Sequence, residues 1–197
     1  TTYALEGSIF IAGAGVQWLR DKIKFIKKAA DTEKILRSLR SNNGIYLVPA
    51  FTGLGAPYWN VNARGLLSGL TRDTGPKEII RATIESVAYQ TYDLFEAMKN
   101  DGLRPKLIKV DGGMVKNNWF SQFLSDIINT KVQRPKVDET TALGAAFMAG
   151  LQIGVYKSLK DISKNWQVDK SFNPKIKSHT RKKLLEGWSN AIRKTLS

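Results

Sequence analysis

The chain has 197 residues, 42% of them hydrophobic and five of them Trp, which suits one globular domain with a real core and excludes a disordered chain. It has no Cys and a single His, so disulfide frameworks, Cys-based zinc sites, thiol nucleophiles and multi-His metal centres are excluded. The net charge of +14 points toward nucleic acid, but it is uneven: residues 151–197 hold 11 basic and 3 acidic side chains, against 12 and 10 in residues 61–150.

Segments of helical and strand character alternate, the pattern of an α/β domain. Tyr3 to Phe10 reads as the end of a strand. Ile11 to Phe25 follows as a helix, with Val16, Leu19, Ile23 and Ile26 on one face and Lys22, Lys24, Lys27 and Lys28 on its solvated side. Glu33 to Leu39 is a short helix stopped by Asn42, Asn43 and Gly44. Ile45 to Phe51 reads as a strand, although Pro49 removes one ladder donor. Thr52 to Gly65 is a loop rich in Gly, Pro and Asn, and Leu66 to Leu70 is a short extended piece. Pro76 to Asn100 is the longest helix: Pro76 suits a first turn, and Ile80, Ile84, Val87, Ala88, Thr91, Leu94, Phe95 and Met98 keep helical spacing.

Lys106 to Val110 is a strand running into Asp111-Gly112-Gly113. Asn117 and Asn118 open a helix through Asn129, with a stripe of Trp119, Phe120, Phe123, Leu124, Ile127 and Ile128. Lys131 to Arg134 is a strand ended by Pro135. Thr140 to Gly150 is a helix crowded with small residues, which suit packing against another helix or under a bound ligand, close helix packing being the expected use. A short helix, an extended piece around Trp166 to Phe172 and a basic C-terminal helix complete the chain. The segment after Gly154 is the one candidate appendage.

Asp111-Gly112-Gly113 lies between a strand and a helix, where α/β sheets bind ligands. Paired glycines admit a ligand where a Cβ would clash, and a helix start near Asn117 offers free N–H groups to phosphate or ribose oxygens. Asn117 itself suits a base edge or, equally, a plain helix cap. Gly13, Gly15 and Gln17 begin like a dinucleotide fingerprint, but Trp18 stands where the third glycine belongs. There, close backbone approach to a ligand competes with simple helix packing. Phe51 to Trp59 reads as a sugar-stacking loop or, preferably, a rigid loop with Trp59 buried. The Trp residues read as packing groups and His179 as a surface residue. No close carboxylate pair suggests a general acid and base, and no metal site is assigned.

Taken together these segments resemble the FGGY carbohydrate kinase family, and within it the branch that phosphorylates glycerol. Gly65 to Glu85 matches its second signature through Gly65, Leu67, Gly69, Leu70, Glu78, Ile79, Ala82, Thr83, Ile84 and Glu85. Tyr3 to Gly7, Gln17 to Asp21, Pro49 to Trp59, Val110 to Gly113 and Thr141 to Ala146 add matches in the right order. The resemblance implies a ribonuclease-H-like domain of the actin and hexokinase type, with residues 1–197 forming most of the C-terminal, ATP-binding domain and a basic helical tail from about residue 155. It implies ATP and Mg2+ as cofactors. It places Gly13 and Gln17 at positions that contact the phosphates, and Gly113 and Asn117 at positions that contact the adenosine part.

The same resemblance implies that the catalytic aspartate, the polyol contacts, a strand pair and a Thr-Gly-rich phosphate turn are missing from this chain. The chain begins at Thr1, so a fragment or processed product is expected, truncated at the domain's N-terminal strands and inactive alone. ATP or ADP, and glycerol through the missing domain, are the expected partners. Nucleic acid and membrane are not, and a homo-oligomer stays open. The longest apolar run, Ala142 to Leu151, is too short to span a bilayer, and the lack of Cys fits a cytoplasmic protein. The alternatives are a non-catalytic interaction domain of a split gene and a kinase for another sugar or polyol.

Overall fold

The computed structural model describes residues 4–137 and 139–197. The fold is organised around helix α3, Pro76–Asn100, whose bounds match the sequence reading. Pro76 occupies its first turn, and the Glu78 carboxylate accepts the Gly75 N–H at 3.0 Å, satisfying a donor the helix leaves unpaired. Every residue from Ile80 to Gln90 is buried, so this helix is covered on all faces rather than along one stripe.

The other elements supply that cover. Helix α1, Gly13–Asp21, approaches closely through Gly15: a Cβ there would stand 3.1 Å from the Thr83 Cγ2 of α3. Helix α2, Asp31–Ser38, packs beside it. Strands β1, Tyr46–Val48, and β2, Leu66–Ser68, form an antiparallel pair with Leu47 opposite Leu67. Strand β3, Leu107–Lys109, helix α4, Asn118–Ile128, and strand β4, Lys131–Pro135, make a parallel β-α-β unit. Helix α4 buries Phe120, Phe123, Leu124, Ile127 and Ile128. It ends at Asn129 in the left-handed region, φ 52°, a conformation Asn tolerates. Helices α5, Thr140–Gln152, and α6, Leu159–Ser163, lead to strand β5, Val168–Phe172, antiparallel to β4, and to helix α7, Ser178–Leu196.

Several expectations are corrected. Ala4 to Phe10 is not a strand: the Ser8 carbonyl accepts from Ala56 at 3.1 Å in a loop, and among the described residues no strand pairs with the segment. Tyr3 lies outside the described residues. Helix α1 stops at Asp21 rather than Phe25, because Lys24 adopts φ 57° and breaks the helical path. Strand β1 stops at Val48, directly before Pro49, which has no N–H to give a ladder. The loop after it is well braced, with Asn60 and Leu54 paired and the Asn60 Oδ1 accepting from Asn62 and Ala63, yet Trp59 at its tip is 65% exposed rather than buried. The other Trp residues do pack: Trp188 is fully buried, and Trp18, Trp119 and Trp166 are half-buried.

Helix α5 does form, but among the described residues its small side chains make no extensive contact with a second helix. Only Gly150 is buried, beside the Tyr156 ring, and Met148 is 52% exposed. The segment after Gly154 is no appendage either. Strand β5 completes a three-stranded sheet, and α7 buries Trp188, Ala191 and Ile192. A Cβ on Gly187 would overlap the Tyr46 ring, so glycine lets α7 lie directly on β1. No helix among the described residues is long and apolar enough to cross a membrane.

Two polar clusters sit inside this packing. Arg81 pairs with the fully buried Glu85 at 2.6 Å and also donates to the Leu39 carbonyl at 2.8 Å, while the Tyr89 hydroxyl donates to Glu85 at 3.1 Å. Burial raises the Glu85 carboxyl above the usual range, against the pull of Arg81. Farther along α3, Asp93 accepts from the Tyr58 hydroxyl at 2.8 Å and the Trp188 indole at 2.6 Å, joining the loop, α3 and α7. Burial pushes its carboxyl up to about 6, despite those two donors.

A carboxyl raised in the folded state contributes stability below its unfolded pKa of 3.8 and loses it as pH rises through about 6. Asp93→Asn keeps an oxygen that can accept both donors and removes the titration. Measured by urea unfolding from pH 4 to pH 7, the variant is expected to gain about 2–3 kcal/mol relative to the native chain across that window.

Candidate functional site

A cleft of about 620 Å3 opens between the start of α1, the start of α2 and the turn that follows β3. The turn is set by the glycines. Gly112 sits at φ 88°, a region that strains other residues, and starts a 3-10 turn over Gly113–Lys116. Neither Gly112 nor Gly113 has a neighbour within 4 Å of where a Cβ would stand, so a side chain there would project into open space. Val110, just before the turn, donates to the Gln133 carbonyl at 3.0 Å, tying it to the sheet.

On the facing wall, Gly13 opens α1 and Gln17 follows one turn later. Both are exposed to the cleft, whereas Gly15 between them is buried against α3. The two readings of that motif therefore divide by residue: Gly15 serves helix packing and Gly13 leaves space. Ala12 provides no side-chain cap; the Gly15 N–H turns back to the Ala12 carbonyl at 3.0 Å, so the N–H groups of Gly13 and Ala14 and the positive end of the helix dipole stay available at the cleft.

Asn117 occupies the corner where the walls meet. Its Oδ1 caps α4 by accepting from Phe120 at 3.0 Å, and its Nδ2 donates to the Thr32 hydroxyl at 3.2 Å. The cap is thus real, and the amide retains one further donor and one further lone pair. Thr32 and Glu33, at the start of α2, fasten this corner from the other side: Glu33 accepts from Asn118 at 3.1 Å and from Arg37 at 2.6 Å. Burial works to raise the Glu33 carboxyl, but those hydrogen bonds outweigh it and hold the group low.

All four residues singled out in the sequence, Gly13, Gln17, Gly113 and Asn117, line this one cleft. The sequence reading missed Thr32, Glu33 and Arg134. Arg134 donates from β4 to the Val115 carbonyl at 2.7 Å and so supports the turn from beneath. His179 is exposed on α7, away from the cleft. Among the described residues no group of three or more His, Cys, Asp or Glu could hold a metal ion.

A cleft beside the carboxyl ends of parallel strands, walled by a glycine turn and a bare helix start, is the build by which α/β domains take small molecules. The chain belongs to the FGGY family of carbohydrate kinases, whose C-terminal-domain model matches residues 1–153. It is 56% identical over 192 residues to the glycerol kinase of Alteromonas mediterranea, covering 98% of this chain and 39% of that protein. It is 55% identical over 196 residues to glycerol kinase 1 of Pseudomonas aeruginosa, covering 100% of this chain and 40% of that protein. The chain therefore spans about two fifths of the length of these relatives.

Among solved structures it is similar to Plasmodium falciparum glycerol kinase with ADP, at a TM-score of 0.87 and 38% identity, covering 96% of this chain and 38% of that one. It is also similar to a ligand-bound xylulose kinase from Lactobacillus acidophilus, at a TM-score of 0.84 and 27% identity, covering 96% of this chain and 39% of that one. The fold is accordingly the ribonuclease-H-like α/β fold of these kinases.

Asn117→Ala removes the cap of α4 and the bond to Thr32. It is expected to lower stability by about 1 kcal/mol or somewhat more, read as a shift in the urea unfolding midpoint.

Proposed function

We propose that residues 1–197 form most of the ATP-binding domain of a glycerol kinase, which transfers the γ-phosphoryl of ATP to a terminal hydroxyl of glycerol. The observation that carries this reading is the cleft itself: a bare helix start and an open glycine turn, from distant parts of the chain, face one space of about 620 Å3. That space suits a nucleotide. The open N–H groups of α1 suit phosphate oxygens, and the unobstructed backbone at Gly113 suits the flat nucleoside part. In this reading Gly13 and Gln17 bind the phosphates, while Gly113 and the free valences of Asn117 bind the adenosine part.

Mg2+ would supply charge neutralisation on the phosphates, held largely by phosphate oxygens and water rather than by a cage of carboxylates. The glycerol contacts and the general base are assigned to the remaining length that the relatives possess. The absence of Cys supports placement in the cytoplasm. The 38% identity to a kinase whose structure contains ADP, with a TM-score of 0.87, adds support for the nucleotide.

Gly113→Val tests the cleft. Gly113 has no neighbour within 4 Å of its Cβ position and does not sit in the left-handed region, so the chain accommodates the side chain while a ligand would meet it. Calorimetry with ADP is expected to show binding by the native chain and about tenfold weaker binding or none by the variant. Equal affinities would overturn the assignment. With radiolabelled ATP and glycerol, the purified chain is expected to show no glycerol-dependent turnover; turnover would place the general base among these residues instead.

A further inference from the structure

The turn that forms one wall of the cleft is held from below by a contact that the family resemblance does not assign. Arg134, on β4, has its side chain only 14% exposed. Its Nη1 donates to the Val115 carbonyl at 2.7 Å and the Lys116 carbonyl at 3.2 Å, the last two residues of the 3-10 turn. Its Nε and Nη2 donate to Asp169 Oδ2 at 2.8 and 2.5 Å. One planar fork thus connects strand, turn and partner carboxylate at once, a geometry that Lys cannot reproduce with a single ammonium.

The strand pairing explains why Asp169 is within reach. Arg134 stands opposite Lys170 and Pro135 opposite Val168, so β5 carries one extra residue at this step, and that residue is Asp169. Such an irregularity re-aims a side chain. Pro135 has no N–H to give, so the ladder loses nothing there. Fixing the Lys116 carbonyl also fixes the plane of the peptide that leads into Asn117, because that unit is rigid. The orientation of Asn117 and the path of the Gly113–Lys116 backbone are therefore set from the sheet. Asp169 lies beyond residues 1–153, the span the family model matches.

We propose that Arg134 and Asp169 are a positioning pair for ligand recognition: they hold the nucleoside wall of the cleft, and the segment after residue 153 takes part in the site through Asp169. This rests on the nucleotide reading of the cleft. Neither residue lines the cleft, so neither is assigned a direct contact with the ligand.

The test compares ADP affinity by calorimetry for the native chain, Arg134→Lys, Asp169→Asn and Asp169→Glu. Arg134→Lys and Asp169→Asn are expected to weaken binding by about tenfold and about fivefold, while Asp169→Glu, which restores the carboxylate, stays within about twofold of native. In the ligand-free chains, the amide resonances of Gly113 and Lys116 are expected to move in Asp169→Asn while that of Gly13 stays in place, a pattern that general loss of stability does not produce. Native ADP affinity in Arg134→Lys and Asp169→Asn, or unmoved turn resonances, would overturn the positioning role and leave the nucleotide reading intact. No ADP binding by the native chain would overturn the nucleotide reading instead, whatever the resonances report.

Discussion

The rest of this structure depends on one constraint: an eleven-residue stretch of α3, Ile80 to Gln90, is buried on every side. A helix with one apolar stripe needs one neighbour, but this one needs a complete ring of them. Helices α1, α2 and α4 and strand β1 provide it together with Trp188 of α7, which stacks on Tyr89, and each is thereby placed relative to the others. The polar groups inside the ring are consistent with that demand. Glu85 has no access to water, so Arg81 and Tyr89 meet its oxygens. Arg81 in turn lies 5.0 Å from the Trp119 ring, which links the pair to α4.

The cleft inherits its shape from this ring. Helix α1 is drawn to α3 by Gly15, which leaves its first turn directed outward. Helix α4 is drawn to α3 by its aromatic stripe, which brings Asn117 and the glycine turn opposite α1. The corner between them is then fastened twice, by Thr32 and Glu33 from α2 and by Arg134 from β4. The open space is therefore a product of the core's geometry: Thr32 and Glu33 brace it from within its own lining, and Arg134 braces the turn from outside it.

How much of this was legible in the sequence depended on the range of the interactions involved. Pro76 and the long spacing to Asn100 marked α3 because propensity, first-turn chemistry and burial agree there. Asn117 and Asn129 marked both ends of α4 for the same reason. The four cleft residues were found because glycine and amide side chains carry a local signal, and the family resemblance sorted them. Thr32, Glu33 and Arg134 carry none: Asn117 and Thr32 are 85 positions apart, and Arg134 looks like an ordinary strand residue until Asp169 is placed beside it. The errors have the same origin. Nothing local in Ala142 to Gly150 reveals how little of that helix is buried, and nothing in the basic composition of residues 155–197 reveals that α7 lies on β1 and α3.

Helix α7 carries one more implication. Gly187 rests on Tyr46, and Trp188 stacks on Tyr89 at 5.3 Å and reaches Asp93, so contacts of large sequence separation close the interior. Contacts of such large separation are slow to form, because the intervening chain must be ordered before they give anything back. During synthesis, the rings of Tyr46 and Tyr89 are complete long before the indole that covers them exists. The nascent chain carries an open aromatic seam until α7 is made, and that interval exposes this fold to aggregation or to a chaperone.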